Sequence, residues 1–197
     1  QYQDGDDPRR LHWRSWARTS YPVVKEFREE YLCRTALIVD TRRPPVYFWD
    51  RLLEVEDPVF EAALSLTAGI AATLSERDYL IDLFAAGPEV YRFQGGRSLG
   101  FLENILDILA CLGPHHQEPF AEFTAELIEE IAAISSAVFV LLNWDGVRRS
   151  LIDRLQAAGV VVKAVLITRD GVAPPELGSD VQTIAAPDVL AGRCERL

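Results

Sequence analysis

From about residue 35 onward, short continuous apolar runs alternate with longer amphipathic segments. Thr35–Asp40 (TALIVD) predicts a strand covered on both faces, since such strands lack the polar alternation of a half-exposed sheet. Asp57-Pro58 predicts a helix start, with Asp capping the free N–H groups and Pro at the first helical position. Val59, Ala63, Thr67, Ile70 and Leu74 follow at helical spacing. Tyr79–Phe84 and Glu89–Phe93 read as strands parted by Gly87-Pro88. Ser98 opens a helix whose stripe is Leu102, Ile105, Leu106, Leu109 and Leu112, closed by Gly113-Pro114. Phe120, Phe123, Leu127, Ile131 and Ile134 predict a further helix over about 120–134. Ala137–Leu142 and Val160–Thr168 are continuous apolar strands, joined by a helix Val147–Ala158 that Gly159 ends, and Val181–Ala186 is the last strand.

Buried strands interleaved with amphipathic helices predict an α/β, three-layer αβα domain at 35–197 with a mostly parallel sheet. Thr35–Asp40, Ala137–Leu142 and Val160–Ile167 are expected to be adjacent and parallel. Residues 1–34 do not share the pattern and read as an N-terminal arm, the tail of a preceding region. Sheets of this kind place function at the carboxyl ends of strands, where strand order reverses. Those ends are Asp40-Thr41-Arg42-Arg43-Pro44, Gln94-Gly95-Gly96-Arg97-Ser98 and Asn143-Trp144-Asp145.

Composition adds bounds. The 197 residues are enough to bury a sizeable core, and 49% hydrophobic with 25% charged residues is ordinary for a globular protein. No methionine occurs, even at position 1, so the chain is expected to be part of something longer. No window approaches the ~18 uninterrupted apolar residues of a spanning helix, and no signal-peptide pattern opens the chain, so a membrane link would come from a missing N-terminal anchor. Cys33, Cys111 and Cys194 lack C-x-x-C pairing and read as buried free thiols in a reducing compartment. The net charge of −10 is uneven: residues 1–34 carry seven basic against six acidic side chains, the remainder thirteen against twenty-four. An acidic body argues against nucleic acid, which needs a basic face to displace counterions.

Each strand end suggests its own chemistry. The turn after the first strand is Asp-Thr-Arg-Arg-Pro-Pro, with neither the glycines of a dinucleotide turn nor a phosphate-loop lysine, and no cofactor is expected. Gly96-Arg97-Ser98-Leu99-Gly100 spells a nucleophile elbow, but the only later histidines, His115 and His116, follow the very next helix, so Ser98 reads as a helix cap. His115 and His116, before Gln117 and Glu118, read as solvated loop rather than metal ligands. Asp6 and His12 form an acid–base pair on paper, without a nucleophile.

The first nineteen residues carry a more specific signal. Tyr2, Gly5-Asp6, Arg9-Arg10, His12-Trp13 and Ala17-Arg18 lie in register with a Y-x-x-G-D-x-x-R-x-I-x-W-x-x-x-A-R pattern, followed by Val23-Val24-Lys25-Glu26-Phe27 and a strand ending in Asp40. This resembles the bacterial domain-of-unknown-function family 58, closely over 1–40 and loosely beyond. The resemblance implies a von Willebrand factor A-like domain behind membrane helices, commonly beside a MoxR-type AAA+ ATPase, and no established enzymatic activity. It also implies a divalent metal site of D-x-S-x-S, a threonine from a second loop and an aspartate from a third. Here Asp40 holds the first position, Arg42 and Pro44 replace the serines, Ser98 is the second-loop candidate, and Asn143 or Asp145 the third. Losing two oxygen donors and gaining a guanidinium disfavours Mg2+, so no metal is expected.

The resulting expectation is a non-catalytic, cytoplasmic protein-interaction module, an adaptor or partner of a MoxR-type ATPase. The arm supplies candidate contacts: Asp6, Arg9, Arg10, His12, Trp13, Arg14 and Arg18, of types enriched at interface hot spots. In the same arm Asp7-Pro8 is expected to start a short helix, and Trp13 and Trp16 alternatively pack the arm onto the domain. The alternatives are a hydrolase using Asp6 and His12 or the strand-end loops, and a metal-dependent adhesion module.

Overall fold

The computed structural model describes residues 11–23, 33–42, 57–86, 90–94, 101–115, 118, 120, 125–175, 177–178 and 180–194. The chain divides into two compact units, residues 1–31 and 32–197.

In the first unit, α1 (Trp13–Thr19) is capped by His12, whose ring nitrogen accepts the Ser15 N–H at 3.2 Å. The expected helix start at Asp7-Pro8 lies outside the described residues. No residue of α1 is buried.

The second unit holds six strands, β1 (Arg34–Asp40), β2 (Leu80–Ala86), β3 (Val90–Gln94), β4 (Ser136–Leu141), β5 (Val161–Thr168) and β6 (Val181–Ala185), in the order β3-β2-β1-β4-β5-β6. All neighbours are parallel except β2 and β3, which run antiparallel. The expected β1, β4, β5 arrangement holds, and the sheet is mixed but mostly parallel. Along β1, Ala36 and Ile38 face one apolar cluster with α4 (Ala125–Ala132) and α5 (Gly146–Ala157). Leu37 and Val39 face the other, with α2 (Pro58–Glu76), α3 (Phe101–Cys111) and α6 (Ala186–Leu190).

Asp57 caps α2 as expected, accepting the Val59 N–H at 3.1 Å. By length and composition α2 is apolar enough to cross a membrane, yet Phe60, Ala63, Leu66 and Ile70 are buried in the core. Three expectations need correction. The helix expected over 120–134 is described only over Ala125–Ala132, with Ile134 buried beyond its end. A sixth helix, α6, follows β6 directly where none was expected, started by Pro187 in its first turn. The cysteines are free but not buried: Cys33 and Cys111 are exposed at element ends and Cys194 is half-buried. Ser98 and its turn lie outside the described residues.

Candidate functional site

The chain leaves β1 for β2 on one side and later places β4 on the other, so strand order reverses between the carboxyl ends of β1 and β4. Five charged side chains converge there. Asp40 ends β1 with the parity of Ala36 and Ile38, which turns it toward α5, and it is fully buried. Its Oδ1 accepts the Arg42 N–H at 2.9 Å; its Oδ2 accepts the Leu142 N–H at 3.2 Å and Arg148 Nε at 2.8 Å.

Asp145 caps α5. Its Oδ1 accepts the N–H groups of Val147 and Arg148, both at 3.1 Å, while Oδ2 accepts Arg148 Nη1 at 2.6 Å and Arg42 Nη1 at 3.2 Å. Asn143 donates to the same oxygen at 3.4 Å. Glu118 comes from the segment after α3, pairs with Arg42, and accepts Arg148 Nη1 at 3.3 Å. The Phe120 ring lies 4.7 Å from the Arg148 guanidinium carbon, a cation–π contact that closes the other side. Three carboxylates therefore hold two guanidiniums, one of them on a side chain only 1% exposed.

Burial pushes the Asp40 carboxyl above the usual carboxylate range, against the opposing pull of Arg148 and the Arg42 and Leu142 N–H groups. Burial also opposes the charge on Arg148, but Asp40, Asp145 and Glu118 outweigh it and hold the guanidinium protonated.

These residues do not fit the divalent metal that the resemblance implied. The Asp40 oxygen such an ion would use already accepts Arg148 Nε, and Arg42 brings a second positive charge. Among the described residues no three His, Cys, Asp or Glu side chains are grouped as ligands of one ion. Pro44 and Ser98 lie outside the described residues. Arg42 is itself paired with Glu118 and Asp145. His115 is not solvated loop either: its N–H donates to Thr41 O at 2.7 Å, beside a parallel bridge to Arg42, and its Nε2 is buried.

Sequence reasoning missed Arg148, the centre of the cluster. Beside the cluster, Phe120, Gly146 and Val147 line a concavity of about 320 Å3. Concavities of about 710 and 670 Å3 lie elsewhere, one lined by Asp170, Gln182 and Arg193, the other by Leu66, Ile70 and Val165.

In the arm, Trp13 is 66% exposed and stacks on Trp16 with ring centroids 5.2 Å apart, and Arg14 and Arg18 are exposed beside them. Asp6, Arg9 and Arg10 lie outside the described residues, so the proposed Asp6–His12 pair is not described, and the His12 ring serves as a cap.

A family model described as protein of unknown function DUF58 matches residues 1–141. Among solved structures, the chain is similar to an aerotolerance-related membrane protein from Bacteroides fragilis NCTC 9343 (11% identity, TM-score 0.45, covering 75% of this chain and 74% of that one). It is also similar to the conserved hypothetical protein BatB from Bacteroides thetaiotaomicron (11%, 0.44, 75% and 73%). A third similar structure is proximal thread matrix protein 1 from the mussel byssus (11%, 0.51, 81% and 46%), a likeness of fold alone. No curated protein matches the chain.

Proposed function

The chain belongs to the DUF58 family of proteins of unknown function, and from that premise we propose that it is a non-catalytic protein-interaction module. The observation that carries this reading is exposed Trp13, stacked on half-buried Trp16 in a helix with no buried residue. Large aromatic faces are costly to leave in water, and Trp with neighbouring Arg14 and Arg18 is the composition of interface anchors. The partner we propose is a MoxR-type AAA+ ATPase, bound directly and without metal, with the domain on the cytoplasmic side of a membrane-anchored protein. The partner's identity rests on the family resemblance; the surface rests on α1.

The hydrolase alternative is weakened by the strand ends. Asp40, Asp145 and Glu118 each already accept from a guanidinium, which leaves none of them a ready proton acceptor. The metal-dependent adhesion alternative would require an ion to compete with Arg148.

The test is a titration of the purified chain with a purified MoxR-type ATPase, with ATP, with ADP and without nucleotide, in EDTA and in Mg2+. Saturable binding that survives EDTA is expected in at least one nucleotide state. Trp13→Ala should weaken it by ~30-fold, about 2 kcal/mol, at an unchanged melting temperature. Absence of association in every state would sink the partnership. A Trp13→Ala protein that melts early and binds normally would make the stack structural.

A further inference from the structure

We infer that Asp40, Asp145 and Glu118 form a cation site at the strand ends whose occupant is built into the chain: the guanidinium of Arg148 is a tethered replacement for a free cation. Three observations point the same way. The guanidinium touches all three carboxylates, through Nε to Asp40 at 2.8 Å and through Nη1 to Asp145 at 2.6 Å and Glu118 at 3.3 Å. An aromatic face, the Phe120 ring, covers the same cation at 4.7 Å. And Arg148 sits in the first turn of α5, where the helix dipole opposes a positive charge, so the carboxylates rather than the helix must be what holds it there.

The electrostatics require an occupant. With Arg148 removed, three carboxylates would face only Arg42, and Asp40 has no exposed surface through which water could solvate it. A buried carboxylate without a counter-charge is among the more destabilising single defects available to a fold. A free cation would meet that need only above its dissociation constant; a tethered one meets it always. The strand-end surface is therefore assembled permanently, independent of divalent-ion concentration. This inference stands on the unit of residues 32–197 and does not depend on α1 or on any partner.

Arg148→Lys and Arg148→Met separate charge from volume. The methionine variant should melt roughly 10 °C below the parent, while lysine should recover about half of that loss. Arg148→Ala vacates the site and makes it fillable. Its melting temperature should rise saturably with millimolar ethylguanidinium, which matches the lost group in shape. The parent should show no such rise, and neither should Arg148→Ala combined with Asp40→Asn. Rescue by ethylguanidinium supports the inference. If Arg148→Ala does not fold, the lysine–methionine comparison decides alone. The inference is overturned if methionine equals or exceeds lysine in stability, or if a folded Arg148→Ala gains nothing from ethylguanidinium. It is also overturned if the gain persists without Asp40. None of these outcomes bears on ATPase binding, which the Trp13 titration reads separately.

Discussion

Asp40 is held by opposed forces that can be separated by pH. Its carboxylate takes three hydrogen bonds and lies against Arg148, yet burial dominates and raises its pKa. The folded chain then holds the Asp40 proton more tightly than the unfolded chain, in which aspartate titrates near about 3.9. The stability this contributes is complete below that value and is lost as pH rises through the raised folded pKa. Asp40→Asn abolishes the titration while keeping nearly the same shape. Urea denaturation should therefore show the parent's advantage over Asp40→Asn greatest near pH 4 and shrinking toward pH 8. An advantage that grows with pH would mean that the guanidinium outweighs burial and the pKa is depressed. Asp40 itself was legible in the sequence as the last residue of an apolar strand. Arg148 was not, because Gly146-Val147-Arg148-Arg149 looks like the solvated face of a helix. The available signal was electrostatic: a cation three residues after a capping aspartate sits against the helix dipole and calls for a carboxylate nearby.

Helix caps show how one residue type serves two different ends. Asp57 and Asp145 both cap helices with side-chain oxygens, and Asp57 accepts from the Val59 N–H. Asp145 accepts from two backbone N–H groups and also pairs with Arg148 and Arg42. Asp57→Ala should cost about 1 kcal/mol, the ordinary value of a lost cap. Asp145→Ala should cost at least about 2 kcal/mol, because it also strips a counter-charge from a buried arginine. Denaturation of the two variants side by side checks this; equal losses would mean that Glu118 and Asp40 suffice to hold the guanidinium. At this scale the sequence was most informative where local chemistry is self-contained. The Asp57-Pro58 start is an example, and so is Gly159 after α5, where φ is +91° and a side chain is disfavoured. It was least informative where tertiary contacts set the limits. The apolar spacing of Phe120, Ile131 and Ile134 suggested one helix, yet Phe120 and Ile134 are buried from positions outside α4. The five-residue α6 has too few apolar positions to show a period at all.

The order of strands across the whole sheet is the least local property of the fold. A continuous apolar run says that a strand is covered on both faces, but it does not name its neighbours. Thr35 pairs with Ser136, about a hundred residues away, and their hydroxyls meet at 2.8 Å across that pairing. The pattern therefore revealed β1, β4 and β5 as central, whereas the switch point between β1 and β4 emerged only from the assembled sheet. That position has a measurable consequence. β1, β4 and β5, like β2, each pair on both edges, while among the described residues β3 pairs with β2 alone and carries exposed Tyr91 and Arg92. The amides of these inner strands should open only with the whole unit, at a cost on the order of 5–15 kcal/mol, while an edge strand can separate alone. Hydrogen exchange followed by mass spectrometry should leave peptides over 34–40, 136–141 and 161–168 protected longest, and 90–94 should exchange well before them. Weakening the cluster with Arg148→Met should then speed exchange first at the carboxyl end of β1 and the first turn of α5, because Asp40 and Asp145 are the ends that the guanidinium ties together. If β3 proved as protected as β1, the sheet would not end where the pairing places its edge.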